Sequence, residues 1–191
     1  LLALGIGLED RVTVQLPNWS EFVYVYLALA RIGAVGVMAL PQHRSREIGY
    51  MLRLTESTAY ISPTVHRNFD YPEMIQGLRS DLPHLRHLIA VGESLPPGAL
   101  SLSKLMEPEP SGPYRREDLP RLRPTPNDVS VLLWTGGTTA EPKGVPHTHN
   151  THLSFADYFS RTYPRNHETS FLISPPIAHN AALSVGLNAG L

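Results

Sequence analysis

The chain has 191 residues, of which 42% are hydrophobic and 17% charged, and its formal net charge is −1 with a pI near 6.8. That balance carries no basic field for nucleic acid or an anionic membrane, and no apolar run reaches the roughly 20 residues a bilayer span needs. Cysteine is absent, which excludes disulfides and thiol chemistry and fits a reducing, cytoplasmic setting.

In chain order, Val12–Leu16 is a β-type run ended by Pro17-Asn18. "SEFVYVYLALARIGA" follows as a helix, with Ser20 as N-cap, Glu21 in the first turn and Gly33 after the basic last turn. Its apolar residues cover nearly every face, which predicts a well-buried helix. Val35–Leu40 is a second strand closed by Pro41. Ser45 then caps a helix with Ile48, Met51, Leu52 and Thr55 on one face. Ala59–Ile61 is a third strand, and Asp70, Pro72 and Glu73 open a helix that runs to about Arg79. Leu88–Val91 is a fourth strand. The Pro-rich stretch 96–126 reads as a surface excursion with at most a short helix near Leu102–Met106. Val129–Trp134 is a strand, His149–Arg161 a helix, Phe171–Ile173 a last strand, and Ala181 onward is helical. Strands that alternate with helices and are apolar throughout predict an α/β domain, with a largely parallel sheet covered by helices on both faces. Both termini lie inside apolar runs, so the chain is expected to be a piece of a longer one.

The densest chemistry lies in "LLWTGGTTAEPKGVPHTHN", Leu132 to Asn150. In α/β sheets, loops leaving strand C-termini are where ligands usually bind. Gly136 and Gly137 let backbone N–H groups converge on an anion, and Thr135, Thr138 and Thr139 add uncharged hydroxyl donors. Lys143 adds a cation and Pro142 stiffens its approach. Phosphate is the anion that uses all of these together. The loop is not a Walker motif, since Lys143 is followed by Gly144 rather than Ser or Thr, and it is not G-x-G-x-x-G. The plain alternative is a flexible turn with a solvated lysine.

His147, His149 and His152 have spacing that could hold a metal, but no cysteine or acidic ligand stands beside them, and no metal site is expected. His179-Asn180 follows two prolines on a constrained loop. Asn180 offers an amide that both donates and accepts, which suits a phenolic hydroxyl; its alternative role is to cap the helix from Ala181.

"TGGTTAEPKG" resembles the phosphate-binding signature of the adenylate-forming superfamily of acyl-CoA synthetases, adenylation domains and luciferases. It matches at Thr135, Gly136, Gly137, Thr138, Thr139, Pro142, Lys143 and Gly144, and departs at Ala140, where the family has glycine. The double glycine, "ALPQHRSREI" (Ala39 to Ile48) and "PPIAHN" (Pro175 to Asn180) resemble the aryl-acid branch, which includes 2,3-dihydroxybenzoate–AMP ligases. The resemblance spans nearly the whole chain and implies the front part, residues 1–191, of a large N-terminal adenylation domain, without the C-terminal domain.

The resemblance implies activation of an aryl carboxylic acid by ATP and Mg2+ to aryl-AMP with release of pyrophosphate, then transfer to a phosphopantetheine thiol on an aryl carrier protein or CoA. It implies Thr135 to Gly144 as the phosphate site, with Lys143 catalytic, and His179, Asn180, Ser184 and Val185 as the acid pocket. Dihydroxybenzoate ligases typically carry serine where this chain has Val185, so salicylate, another substituted benzoate and a heteroaryl acid all stay open. The alternative for Val185 is the apolar face of a helix with Leu187. The family's Tyr-Gly-x-Thr-Glu segment, ribose-binding aspartate, hinge and C-terminal lysine are not among these residues, nor are Mg2+ ligands, so the isolated piece is expected to be inactive. An acyl- or aryl-CoA ligase and a degenerate, non-catalytic binding module are the alternatives.

Overall fold

Val12, Thr13 and Val14 are all fully buried, which a strand achieves only when both sheet faces are covered. They belong to β1 (Arg11–Val14) in a computed structural model that describes residues 1–107, 114, 116–136, 141–163 and 166–190. β1 pairs in parallel with β2 (Val35–Met38) on one side and β3 (Ala59–Pro63) on the other. A small antiparallel hairpin follows, β4 (Val65–His66) and β5 (Phe69–Asp70). Its tip residues Arg67 and Asn68 have φ of 50° and 57°, the left-handed pair of a two-residue hairpin turn. Then come β6 (His87–Val91), β7 (Ala99–Ser101), β8 (Val129–Thr135) and β9 (Lys143–Thr148). The sheet order is β7-β6-β3-β1-β2-β8-β9, and every pairing is parallel except β8–β9. The mostly parallel α/β architecture is the one the sequence predicts.

Helix α1 (Ser20–Ile32) buries Phe22, Val25, Tyr26, Leu29 and Ile32 against one face of the sheet. Leu183 and Leu187 of a π-helix, Ala182–Asn188, join the same cluster. Helices α2 (Ser45–Thr55) and α3 (Tyr71–Leu78) cover the other face with Ile48, Met51, Leu52 and Ile75. β3 divides its residues between the layers, Ala59 and Ile61 to the α1 side and Tyr60 to the α2 side. Each fully buried large side chain contributes roughly 1.5–3 kcal/mol of transfer free energy. Most polar groups left in the core are paired; among the described residues Trp134 Nε1 and His152 Nε2 are the buried side-chain atoms without a hydrogen-bond partner. The Ser57 hydroxyl bonds Thr13 at 2.8 Å and Thr55 at 2.7 Å.

Several expectations need correction. The N-cap of α1 is Trp19; Ser20 is the first helical residue, and its hydroxyl donates to Glu21 at 3.1 Å instead of capping. α1 is not buried all round, because only one stripe meets the sheet, and Tyr24 and Leu27 stay 52% and 43% exposed. The N-cap of α2 is Arg44, whose N–H donates to Glu47 at 3.0 Å, so Ser45 opens the helix rather than caps it. Asp70 does cap α3, accepting from Glu73 N at 2.8 Å, and the helix ends in a 3-10 turn at Arg79–Asp81. The 96–126 stretch is more than a surface excursion. It holds β7, the short helix α4 (Leu102–Leu105) with Leu102 in the core, and a 3-10 helix at Arg116–Leu122. Phe171–Ile173 is not a strand. Leu172 is 92% exposed, and the Ile173 carbonyl accepts from Asn18 Nδ2 at 3.1 Å rather than from a ladder partner. α5 (His149–Thr162) begins one residue after β9, capped by Thr148, which accepts from Thr151 N at 3.1 Å.

Candidate active site

β8 and β9 form an antiparallel pair that closes the sheet edge and fixes the two ends of the glycine- and threonine-rich loop. Thr135 stands opposite Lys143 and Trp134 opposite Gly144 in the register. The Thr135 hydroxyl donates to the Lys143 carbonyl at 3.5 Å, so the two polar ends of the loop are held side by side. A Cβ at Gly136 would meet nothing within 4 Å among the described residues. Gly144 has the opposite requirement, because a Cβ there would lie 2.7 Å from Leu132 Cδ2 and 3.4 Å from Trp134 Cζ3. Gly137, Thr138, Thr139 and Ala140 lie outside the described residues.

Charge at this loop is arranged for an anion. Glu141 is engaged by Arg46 of α2 at 3.1 Å, whereas Lys143 is exposed and forms no ion pair among the described residues. A carboxylate neutralised by arginine next to an unpaired ammonium leaves net positive charge beside Thr135 and Gly136. Those donors fit the phosphates of a nucleotide. Arg46 is a contributor that sequence reasoning missed, because it lies 95 residues from Glu141 along the chain.

The second group of predicted residues is built on the loop that leads into the π-helix. Asn18, just past β1, holds that loop with three bonds. Its Nδ2 donates to Ile173 O at 3.1 Å and Pro175 O at 2.9 Å, and its Oδ1 accepts from Ile177 N at 2.8 Å. His179 N donates to Pro176 O at 2.9 Å and closes the turn. His179 and Asn180 are exposed, Ser184 is buried and Val185 is half-buried. The Ser184 hydroxyl donates to Asn180 Oδ1 at 2.9 Å, and no side-chain bond caps the start of the π-helix among the described residues. Thus Thr135, Lys143 and Gly144 are brought together at one place and Asn180 and Ser184 at another. No hydrogen bond or ion pair joins the two groups among the described residues.

Of the three close histidines, the His147 and His152 rings lie 5.5 Å apart, His149 N donates to Asp128 O at 3.3 Å, and His152 is 2% exposed on the inner face of α5. His152 Nδ1 takes a bond from Asn188 Nδ2 at 3.1 Å and has the Tyr26 hydroxyl at 3.5 Å. Burial above all, then His147, whose ring lies 5.5 Å away, lowers the His152 pKa to about 4, with Asn180 opposing the fall. The described residues contain no group of three His, Cys, Asp or Glu that could hold a metal. Nor is any of their helices long and apolar enough to cross a membrane.

Sequence reasoning also missed a cavity of about 380 Å³ over the C-terminal ends of β1 and β2, where the strand order turns back. Asn18, Trp19, Arg44, His66, Arg67 and Ser174 are among its lining residues. Its wall is rigid. Gln15 Nε2 donates to Leu40 O and His43 O, both at 2.9 Å, Tyr60 donates to Gln15 Oε1, and Tyr71 donates to Pro41 O at 2.8 Å. The Arg44 guanidinium stacks 4.0 Å over the Phe69 ring. The signal for this wall was "PQHR" itself, a polar turn directly after a buried strand.

A mostly parallel sheet with an anion-receptive strand-to-strand loop at its edge defines a nucleotide-handling α/β enzyme domain. The chain belongs to the AMP-binding enzyme family, whose pattern matches residues 1–191. It is 37% identical over 184 residues to the 2,3-dihydroxybenzoate-AMP ligase of Bacillus subtilis, covering 95% of this chain and 32% of that protein. It is 33% identical over 184 residues to the salicyl-AMP ligase / salicyl-S-ArCP synthetase of Mycobacterium tuberculosis, covering 96% of this chain and 31% of that protein. The apo structure of Mycobacterium smegmatis MbtA superposes with a TM-score of 0.82 at 30% identity, covering 99% of this chain and 33% of that one. The sheet is that of the N-terminal domain of adenylate-forming enzymes. The chain spans about a third of the length of the relatives it matches.

Proposed function

We propose that this chain contributes the phosphate site and the acid pocket of a ligase that adenylates an aryl carboxylic acid. In the first half-reaction a carboxylate oxygen attacks the α-phosphorus of ATP. The bond to the β-phosphate bridging oxygen breaks, and pyrophosphate leaves. In the second, a phosphopantetheine sulfur attacks the acyl carbonyl, loses its proton and displaces AMP. The observation that carries the reading is Lys143, without an ion pair among the described residues, opposite Thr135 where β8 and β9 meet the loop. A cation there offsets the charge that builds on departing pyrophosphate. Thr135, Gly136, Gly137, Thr138, Thr139 and Gly144 are proposed to cradle the phosphates. Mg2+ would add charge neutralisation, through ligands outside this set.

Asn180, Ser184, His179 and Val185 are proposed to line the acid pocket. The Asn180–Ser184 bond supports a polar floor, and half-buried Val185 gives an apolar wall. Salicylate-like and other substituted benzoic acids match that pairing. The cavity with Arg44 and Arg67 adjoins Ser174 and Pro176 of the same loop. It favours an acceptor that carries phosphate, as phosphopantetheine does on a carrier protein and within CoA. Cytoplasmic action and inactivity of this stretch on its own complete the proposal.

The test is aryl-acid-dependent ATP–pyrophosphate exchange, followed by transfer to a holo carrier protein or to free CoA. Exchange with salicylate or 2,3-dihydroxybenzoate and loading of the carrier are expected. Loading of CoA alone would favour the CoA ligase. No exchange with any acid would leave a binding module.

A further inference from the structure

Gln15 follows β1 directly and is fully buried, a place where an apolar side chain would need no partners. Its amide is committed to one turn, the one that leaves β2. Gln15 Nε2 donates to Leu40 O and to His43 O, each at 2.9 Å. Gln15 Oε1 accepts from the hydroxyl of Tyr60, which is also fully buried. A flipped amide would set its oxygen against two carbonyl oxygens, so this orientation is fixed.

The same turn holds Arg44. Arg44 Nη1 donates to Pro41 O and to His43 O, both at 2.9 Å. A carbonyl oxygen can accept two hydrogen bonds, and here a buried side chain takes the second place on each. On His43 O it is Gln15, and on Pro41 O it is the Tyr71 hydroxyl at 2.8 Å. The guanidinium also lies 4.0 Å over the Phe69 ring. Arg44 is nonetheless exposed, lines the cavity over β1 and β2, and forms no ion pair among the described residues. Its planar fork carries more N–H donors than these two bonds use.

We infer that Gln15 is a positioning residue for the thiol-acceptor step: through the carbonyls of Leu40 and His43 it fixes the turn that aims Arg44 at the phosphate of the acceptor. A guanidinium held in place loses less side-chain freedom on binding, so a residue that never touches the acceptor sets its affinity. The inference rests on the phosphate-bearing acceptor read above and deepens it.

The test separates the two half-reactions in the complete native protein, in Gln15→Met, in Arg44→Gln and in the double variant. Met has about the bulk of Gln and removes both donors. Pyrophosphate exchange reads adenylation, and KM for holo carrier protein or for CoA, whichever is loaded, reads transfer. In each single variant the acceptor KM is expected to rise about tenfold or more beyond any change in exchange, the scale of one hydrogen bond to a charged group. The double variant should be no worse than Arg44→Gln alone, because Gln15 acts through Arg44. Should Gln15→Met fail to fold, Tyr60→Phe takes its place in the cycle, since it keeps the ring in the core and removes the bond that orients the Gln15 amide. Losses that add between the two sites, or equal losses in both half-reactions, would overturn the inference.

Calorimetric binding of phosphopantetheine to the same proteins needs no turnover. Binding by the unmodified protein is expected, weakened about tenfold by Gln15→Met and by Arg44→Gln with the same lack of additivity. No binding, or binding indifferent to Gln15, overturns the inference. Absence of exchange with every aryl acid would instead sink the aryl reading, and the binding result would still decide what Gln15 does.

Discussion

Asn18 Oδ1 accepts a hydrogen bond from Ile177 N at 2.8 Å, across 159 residues of chain. With the two bonds its amide gives to Ile173 and Pro175, this one side chain ties the loop carrying His179 and Asn180 to the end of the first strand. The loop itself has little regular structure, so its shape depends on that tie. Asn18→Ala is expected to lower unfolding free energy by about 1–3 kcal/mol, the cost of stranded backbone groups. It should also raise KM for the acid more than it lowers kcat. Urea denaturation and steady-state kinetics on the same variant check both.

Gly144 faces Trp134 across the β8–β9 pair, and a methyl group there would stand 2.7 Å from Leu132 Cδ2, so the Leu132 side chain would have to turn aside. Gly144→Ala is expected to cost about 1–2 kcal/mol by overpacking. Because the strain falls one residue from Lys143, exchange activity should drop along with stability. Thermal melting and the fluorescence of Trp134 report the displacement.

The buried histidine makes stability fall in acid. His152 has a folded-state pKa of about 4, below its unfolded value near 6.5. Between those limits the unfolded chain binds the proton and the folded chain does not, so stability is full above about pH 6.5 and declines as pH falls towards 4. His43 and His149 are also lowered, chiefly by burial, and act in the same direction. After allowance for partial solvent screening, His152 accounts for about 2 kcal/mol. Urea midpoints at pH 7 and pH 4.5 are expected to differ accordingly, and His152→Phe should reduce the difference.

What the sequence made legible was what local spacing determines. The apolar stripe of Ile48, Met51 and Leu52 identified the face α2 buries, and Asp70 with Glu73 three residues on identified a cap. The glycine- and threonine-rich loop stood out because its residue types are rare in combination. β9 was not visible, since "KGVPHT" has no apolar alternation and includes a proline; it is a strand only because β8 supplies the antiparallel partner. Phe171–Ile173 has strand composition, but a side chain 155 residues away takes the Ile173 carbonyl that a ladder would need. His152 read as one of three neighbours in a row, and only the fold brings it into the interior, against the distant Tyr26 and Asn188.

The most direct measurement of the central claim is ATP–pyrophosphate exchange by the complete native protein with salicylate or 2,3-dihydroxybenzoate, before and after Lys143→Ala. Lys143 is exposed and unpaired among the described residues, so the variant should keep its melting temperature. The account predicts acid-dependent exchange that falls about 100-fold or more in the variant, the usual scale for removing one group that stabilises developing charge. Exchange that does not respond to an aryl acid, or that survives the loss of Lys143 unchanged, would contradict it.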